Sequence, residues 1–184
     1  MKSMMGNISV VFLFGLSLVQ MSCLPPKPAR SGAHAAQTWG AEANGLRCSL
    51  QCTKQHVSEE QVAELILRVR NVGKAARKYH VSSCCGPSFK VVATFQDGFV
   101  LDFADLAQQE HHPCGVINWI DLRPGETRQH KLALRVARFL GQRYMFVGPE
   151  LGARLDHYGR LTVGIILDNV QSNTVSMEIK EEKP

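Results

Sequence analysis

The chain has 184 residues, with 21 Lys and Arg against 16 Asp and Glu and a formal net charge of +5. So mild an excess, dispersed along the chain, argues against a nucleic-acid-binding protein, and its densest interval, Arg123 to Arg143, reads mostly as the solvated side of strands with no aromatic stacking pattern beside it. At this length a single domain buries most of its unfolded surface without disulfides, so the six cysteines are a feature to explain and not a framework the fold requires.

Residues 1–22 begin with a basic Lys2 and carry an apolar run from Ile8 to Val19, too short for a membrane span and the right size for the core of a signal peptide. Gln20-Met21-Ser22-Cys23 is similar to a bacterial lipobox, which implies a lipid on Cys23 and cleavage before it. The competing cleavage site is ordinary signal peptidase acting after Ala33-His34-Ala35. Residues 23–38, rich in Pro and Ala, read as a tether, and residues 39–184 as the folded domain. The expected location is therefore outside the cytoplasm, either membrane-anchored as a lipoprotein or secreted or periplasmic.

Leu46, Cys48, Leu50 and Cys52 alternate with Arg47, Ser49 and Gln51, and Ala63, Leu65, Leu67 and Val69 alternate with Glu64, Ile66 and Arg68. This is the two-residue period of strands with one buried face. Further strands are expected at Lys78–Val81, at Phe89–Phe95 and Phe99–Phe103 around the hairpin turn Gln96-Asp97-Gly98, and at Val116–Leu122. After the turn Arg123-Pro124-Gly125-Glu126 come Arg128–Leu134, a short strand at Tyr144–Val147, and alternating runs from Leu161 to Leu167 and from Val175 to Ile179. Asp102–His112 reads as a short helix inside an insertion, and Val136–Gly141 as a helical turn. The expected fold is all-β, an antiparallel two-sheet sandwich with that one short helix.

Several phrases carry a resemblance: Trp39-Gly40, Asn44-Gly45-Leu46-Arg47, Leu67 to Gly73, Leu122-Arg123-Pro124-Gly125-Glu126, Gly159 to Val163, and Ser172-Asn173-Thr174-Val175. Their order resembles secreted bacterial immunoglobulin-like domains and is similar in layout to a β-sandwich group that includes a bacterial proteinase-inhibitor domain. The resemblance implies an immunoglobulin-like sandwich. It implies no chemistry, because each phrase is a strand or a turn and no inhibitory residue can be matched.

Chemistry could reside where Cys and His crowd together. Cys84, Cys85 and Cys114 are disulfide candidates, with Cys114 bonded to one of the vicinal pair. The same thiols with His80, His111 and His112 form an alternative copper or zinc ligand set, although no Cys-x-x-Cys spacing is present. Cys48 and Cys52 are read as core residues, about 13 Å apart along an extended strand and unable to bond to each other. A nucleophile set of Cys114, His112 and Asp102 or Asp105 rests on proximity in sequence alone, and Asp97, Asp102, Asp105 and Asp121 read as turn and cap residues. The sequence thus points to a non-enzymatic envelope domain acting by binding or support, with no cofactor, no nucleic acid and an unidentified protein partner. The alternatives are a Cys/His metal-binding domain or a proteinase inhibitor.

Overall fold

The structure is a computed structural model and describes residues 38–59, 61–80, 82–83, 86–105, 119–148 and 151–181. In chain order its strands are β1 (Leu46–Cys52), β2 (His56–Val57), β3 (Val62–Asn71), β4 (Arg77–Tyr79), β5 (Ser82–Ser83), β6 (Gly86–Pro87), β7 (Phe89–Phe95) and β8 (Val100–Leu101). They continue as β9 (Ala104–Asp105), β10 (Ile120–Leu122), β11 (Thr127–Phe139), β12 (Gln142–Val147), β13 (Leu151–Arg154), β14 (Gly159–Leu167), β15 (Val170–Gln171) and β16 (Val175–Ile179). One sheet runs β1-β3-β11-β12-β13-β9 and is antiparallel throughout. A second runs β2-β16-β14-β7-β8, with β15 folded back on β14 and a parallel pair only between β2 and β16. The protein is all-β, and among the described residues none is helical.

The alternation explains the core. Leu65, Leu67 and Val69 of β3 and Leu134 and Val136 of β11 are fully buried, as are Leu161, Val163, Ile165 and Leu167 of β14, and the two sets belong to one hydrophobic cluster. Each such side chain contributes about 1.5–3 kcal/mol through its removal from water.

The phrases at residues 44–47, 67–73 and 122–126 interlock as turns. Gly45 accepts hydrogen bonds from the backbone of Val72 and Gly73, and Asn71 exchanges backbone bonds with Gly125 and Glu126. The buried Asn71 side chain completes the knot: Nδ2 donates to the carbonyls of Ala75 and Leu122, and Oδ1 accepts from Gly73 N. Asn71→Ala removes three hydrogen bonds at once, taking this partner from the Ala75 and Leu122 carbonyls while Gly73 N keeps its bond to Gly45, and should lower stability by about 2–3 kcal/mol. Urea denaturation is the check, and a loss no larger than that of an exposed Asn would deny the side chain this role.

Trp39-Gly40 and Ser172-Asn173 meet along the outer edge of β1. There Leu46 exchanges backbone bonds with Ala43, Gly40 N donates to Cys48 O, and the Asn173 side chain grips Leu50, accepting from its N–H at 2.7 Å and donating to its carbonyl at 3.0 Å. A Cβ at Gly40 would collide with the Gln171 carbonyl, so the close approach requires glycine.

Two expectations are corrected. Ala104–Asp105, expected to open a helix, is β9 and pairs with Leu151 and Gly152; it supplies backbone partners to a sheet edge, and residues 106–112 lie outside the described residues. Val136–Gly141 is no helical turn, because the inward alternation of Leu132, Leu134 and Val136 carries β11 on to Phe139 before a two-residue turn. Residues 116–118, expected to begin a strand, also lie outside the described residues, whereas Ile120–Leu122 is β10.

Candidate functional site at the loop end

Of the residues singled out as ligands or disulfide partners, Cys23, Cys84, Cys85, His111, His112 and Cys114 lie outside the described residues. His80 is described, and its ring meets Trp119 edge-on with centroids 4.7 Å apart. That contact continues the β4–β10 ladder, in which Tyr79 pairs with Ile120. The ladder joins the chain entering the vicinal cysteines to the chain leaving Cys114. Cys84 follows Tyr79 by only five residues and Cys114 precedes Ile120 by six, spans that an extended chain covers at roughly 3.3 Å per residue. Among the described residues no group of three or more His, Cys, Asp or Glu is placed to hold a metal ion.

Cys48 and Cys52 are free thiols. Burial, reinforced by the Asp168 carboxylate, pushes the Cys48 thiol up to about 12, so it stays protonated and is no nucleophile. Cys52 is raised by burial as well and donates its S–H to Lys54 O at 3.1 Å. Beneath β1, Tyr79 Oη lies 2.7 Å from His130 Nε2. Burial raises the phenol, while burial and then Arg128 lower the imidazole, so a neutral pair results. Since the folded His130 value lies below the unfolded one, the unfolded chain takes the proton first, and this contribution to stability declines as pH falls below about 6.5.

Iodoacetamide applied to unreduced, chelator-treated protein at pH 8 should therefore leave Cys48 unmodified. If the disulfide forms, Cys114 and one of Cys84 and Cys85 should also be protected until reductant is added. Intact-mass and peptide analysis reads both; alkylation of Cys84, Cys85 and Cys114 together would remove the disulfide and bring the metal reading forward.

The densest constellation that the structure assembles lies elsewhere, at the end where both sheets turn. There the β11–β12 turn Leu140-Gly141, the chain before β3, the β7–β8 turn and the β13–β14 connection converge. Arg138 and Arg143 face each other across the β11–β12 ladder. They share one carboxylate: Arg138 Nε donates to Glu59 Oε2 at 3.0 Å, and Arg143 Nε lies 2.5 Å from Glu59 Oε1 in poor alignment for a hydrogen bond. The side chains of Arg143 and Glu59 are 9% and 10% exposed, and Arg143 Nη2 is buried without a hydrogen-bond partner. Tyr158 covers the guanidinium, whose carbon is 4.3 Å from the ring centroid. Next to it in sequence, His157 stacks on Phe99 with centroids 3.7 Å apart and reaches Asp97 at 3.9 Å. This end also exposes Phe99, Val100, Phe139, Leu140 and Tyr158.

Arg143 thus departs from the reading of the basic interval as solvated. A second departure concerns aromatic neighbours: Arg135 lies over the Phe146 ring at 4.8 Å, and Phe139, Tyr144 and Phe146 form a row on the outer face of β11 and β12. In sequence these partners are scattered among polar residues, and only the hairpin register aligns them.

Beside this end, on the second sheet, opens a shallow cleft of about 630 Å³ lined by Gln55, His56, Gln96, Arg160, Ser176 and Glu178. Its His56 Nδ1 and Glu178 Oε2 are 3.1 Å apart, but both side chains are more than half exposed, so the pair is worth little. Ser176 Oγ is 3.5 Å from Thr162 Oγ1, and among the described residues no imidazole hydrogen-bonds to it. Asp97 Oδ1 accepts from Phe99 N within its turn, and Asp121 sits 3.7 Å from Lys78 Nζ.

No protein-family profile matches the chain, and no curated protein matches it either. Among solved structures it is similar to the Pseudomonas fluorescens alkylpurine DNA glycosylase AlkC bound to DNA containing an abasic site analog, with a TM-score of 0.43 and 12% identity over 77% of this chain and 32% of that one. It is also similar to the Listeria innocua beta-glucosidase in complex with glucose, with a TM-score of 0.39 and 8% identity over 78% of this chain and 17% of that one. The chain thus spans about a third or less of each neighbour's length.

Proposed function

We propose that this chain is an exported immunoglobulin-like β-sandwich, held at a membrane of the bacterial envelope by a lipid on Cys23, that works by binding and not by catalysis. Two antiparallel sheets sharing one core support the sandwich, and the apolar run ending before Cys23 supports the anchor. The observation that carries the binding reading is the loop end, where apolar and aromatic side chains are held in solvent on turns that rigid strands position. The ionisable groups there are engaged by one another, as in Arg138–Glu59–Arg143, and are not arranged as a nucleophile with its base.

The anchor is tested by Cys23→Ser, which should move the protein from the membrane fraction to the soluble one. Unchanged fractionation with no lipid mass on the mature terminus would sink it. The binding surface is tested with a photoreactive residue in place of Gln142, beside the loop end, and another in place of Asn169 at the opposite end. Adducts should form from position 142 and not from position 169.

A further inference from the structure

The β11–β12 turn is built from an unfavourable residue. Leu140 and Gly141 have φ of 50° and 76°, the doubly left-handed geometry of a two-residue hairpin turn for which Asn-Gly is the preferred filling. The β14–β15 turn, Asp168-Asn169, has the same geometry at φ of 48° and 65° and uses residues that tolerate it. At the β11–β12 tip the chain instead places a leucine that is 87% exposed, beside Phe139 at 55%. An apolar side chain that makes the turn worse and buries nothing gains nothing for the fold, which is how strain at a functional position looks.

Behind the tip the composition changes in steps. Tyr144, two pairs back from the turn-closing Phe139 and Gln142, packs edge-on against Phe139 with centroids 6.0 Å apart. Behind it on the same outer face Arg135 lies over the Phe146 ring, and Arg154, paired with Asp156, stands across the ladder from Tyr144, whereas Arg138 and the buried Arg143 are turned to the opposite face and held by Glu59. Apolar residues first, an aromatic belt next and cations behind form the gradient of a bilayer interface with anionic headgroups. The hairpin tip itself exposes two apolar residues, Phe139 and Leu140. It matches insertion into a fluid layer better than the flat and larger contact of a stable protein interface.

We infer that the Phe139-Leu140 tip of the β11–β12 hairpin inserts into an anionic phospholipid surface, with Arg135 at the headgroup level. This rests on the loop end being the binding surface and names its ligand. It stands independently of the lipid on Cys23, and the Cys23→Ser chain should show the same insertion.

The test uses the full chain with the photoreactive residue at position 142 or 169, irradiated with vesicles of phosphatidylglycerol and phosphatidylethanolamine, with phosphatidylcholine vesicles, and in the producing cells. Lipid adducts are expected at position 142 and not at 169, and on the anionic vesicles above the neutral ones. Arg135→Gln should reduce them about five-fold, the share of one cation near the surface. Leu140→Asn separates folding from binding: it should raise the melting temperature, because Asn suits the turn, while lowering the adduct yield about ten-fold. A protein adduct at position 142 without lipid would overturn the lipid assignment and keep the loop end as the binding surface. Equal labelling at 142 and 169, or none at either, would overturn both.

Discussion

Leu65→Asp and Ile165→Asp should each leave the protein unfolded or nearly so at room temperature. Leu65 on β3 and Ile165 on β14 are completely buried and belong to the same cluster from opposite sheets. Each substitution loses about 1.5–3 kcal/mol of apolar burial. Each also places a carboxylate where neither water nor a cation can reach it, which costs several kcal/mol more even if the group takes up a proton. A domain of this size has a total stability of about 5–15 kcal/mol, so one such change consumes most of it. Val163, also fully buried on β14, should behave alike. Glu64 and Thr162 lie on the outer faces of the same strands, so Glu64→Asp and Thr162→Asp should stay within about 1 kcal/mol of the parent. Near-ultraviolet circular dichroism and urea titration read the contrast, and equal tolerance on the two faces would mean that the register is wrong.

Glu59→Ala should be the most damaging change of any charged residue at the loop end. It leaves Arg143 buried with no counter-charge and opposite a second guanidinium on the facing strand. Losing one partner of a buried ion pair typically costs about 3–5 kcal/mol, mostly from the charge left behind. The double change Glu59→Ala with Arg143→Met should therefore recover much of the loss, since it removes the stranded charge and keeps an apolar stem against Tyr158. Asp156→Ala, which breaks the exposed pair with Arg154, supplies the reference and should cost less than about 1 kcal/mol. If Glu59→Ala costs no more than Asp156→Ala in thermal denaturation, the pair is solvated and the account of Arg143 fails.

Strands whose two faces see different solvents announce themselves. The alternations around Leu65 and Ile165 located β3 and β14 to within two residues. Leu151–Arg154 gave no such sign, because Leu151, Gly152 and Ala153 are all buried and the period of two disappears. β9 was illegible for another reason: it is two residues long, and it is extended because β13 leaves an edge to be filled. The loop-end constellation could not have been read at all, since Glu59, Arg143 and Tyr158 are brought together only by the register of β11 with β3 and β12. One local sign was present, an apolar Phe-Leu pair ahead of the glycine that closes a hairpin. The turn phrases around Gly45, Asn71 and Gly125 are the reverse case, conspicuous in sequence and occupied with holding one another together.

The grip of Asn173 on Leu50 fixes an order of events during synthesis. The two residues are 123 positions apart, so β1 and its neighbours leave the ribosome long before the amide that covers their edge. Until then Leu50 offers an unpaired N–H and carbonyl to any extended chain nearby, as an uncovered sheet edge does. Nascent or truncated chains ending before Asn173 are thus the species most open to pairing with one another through β1.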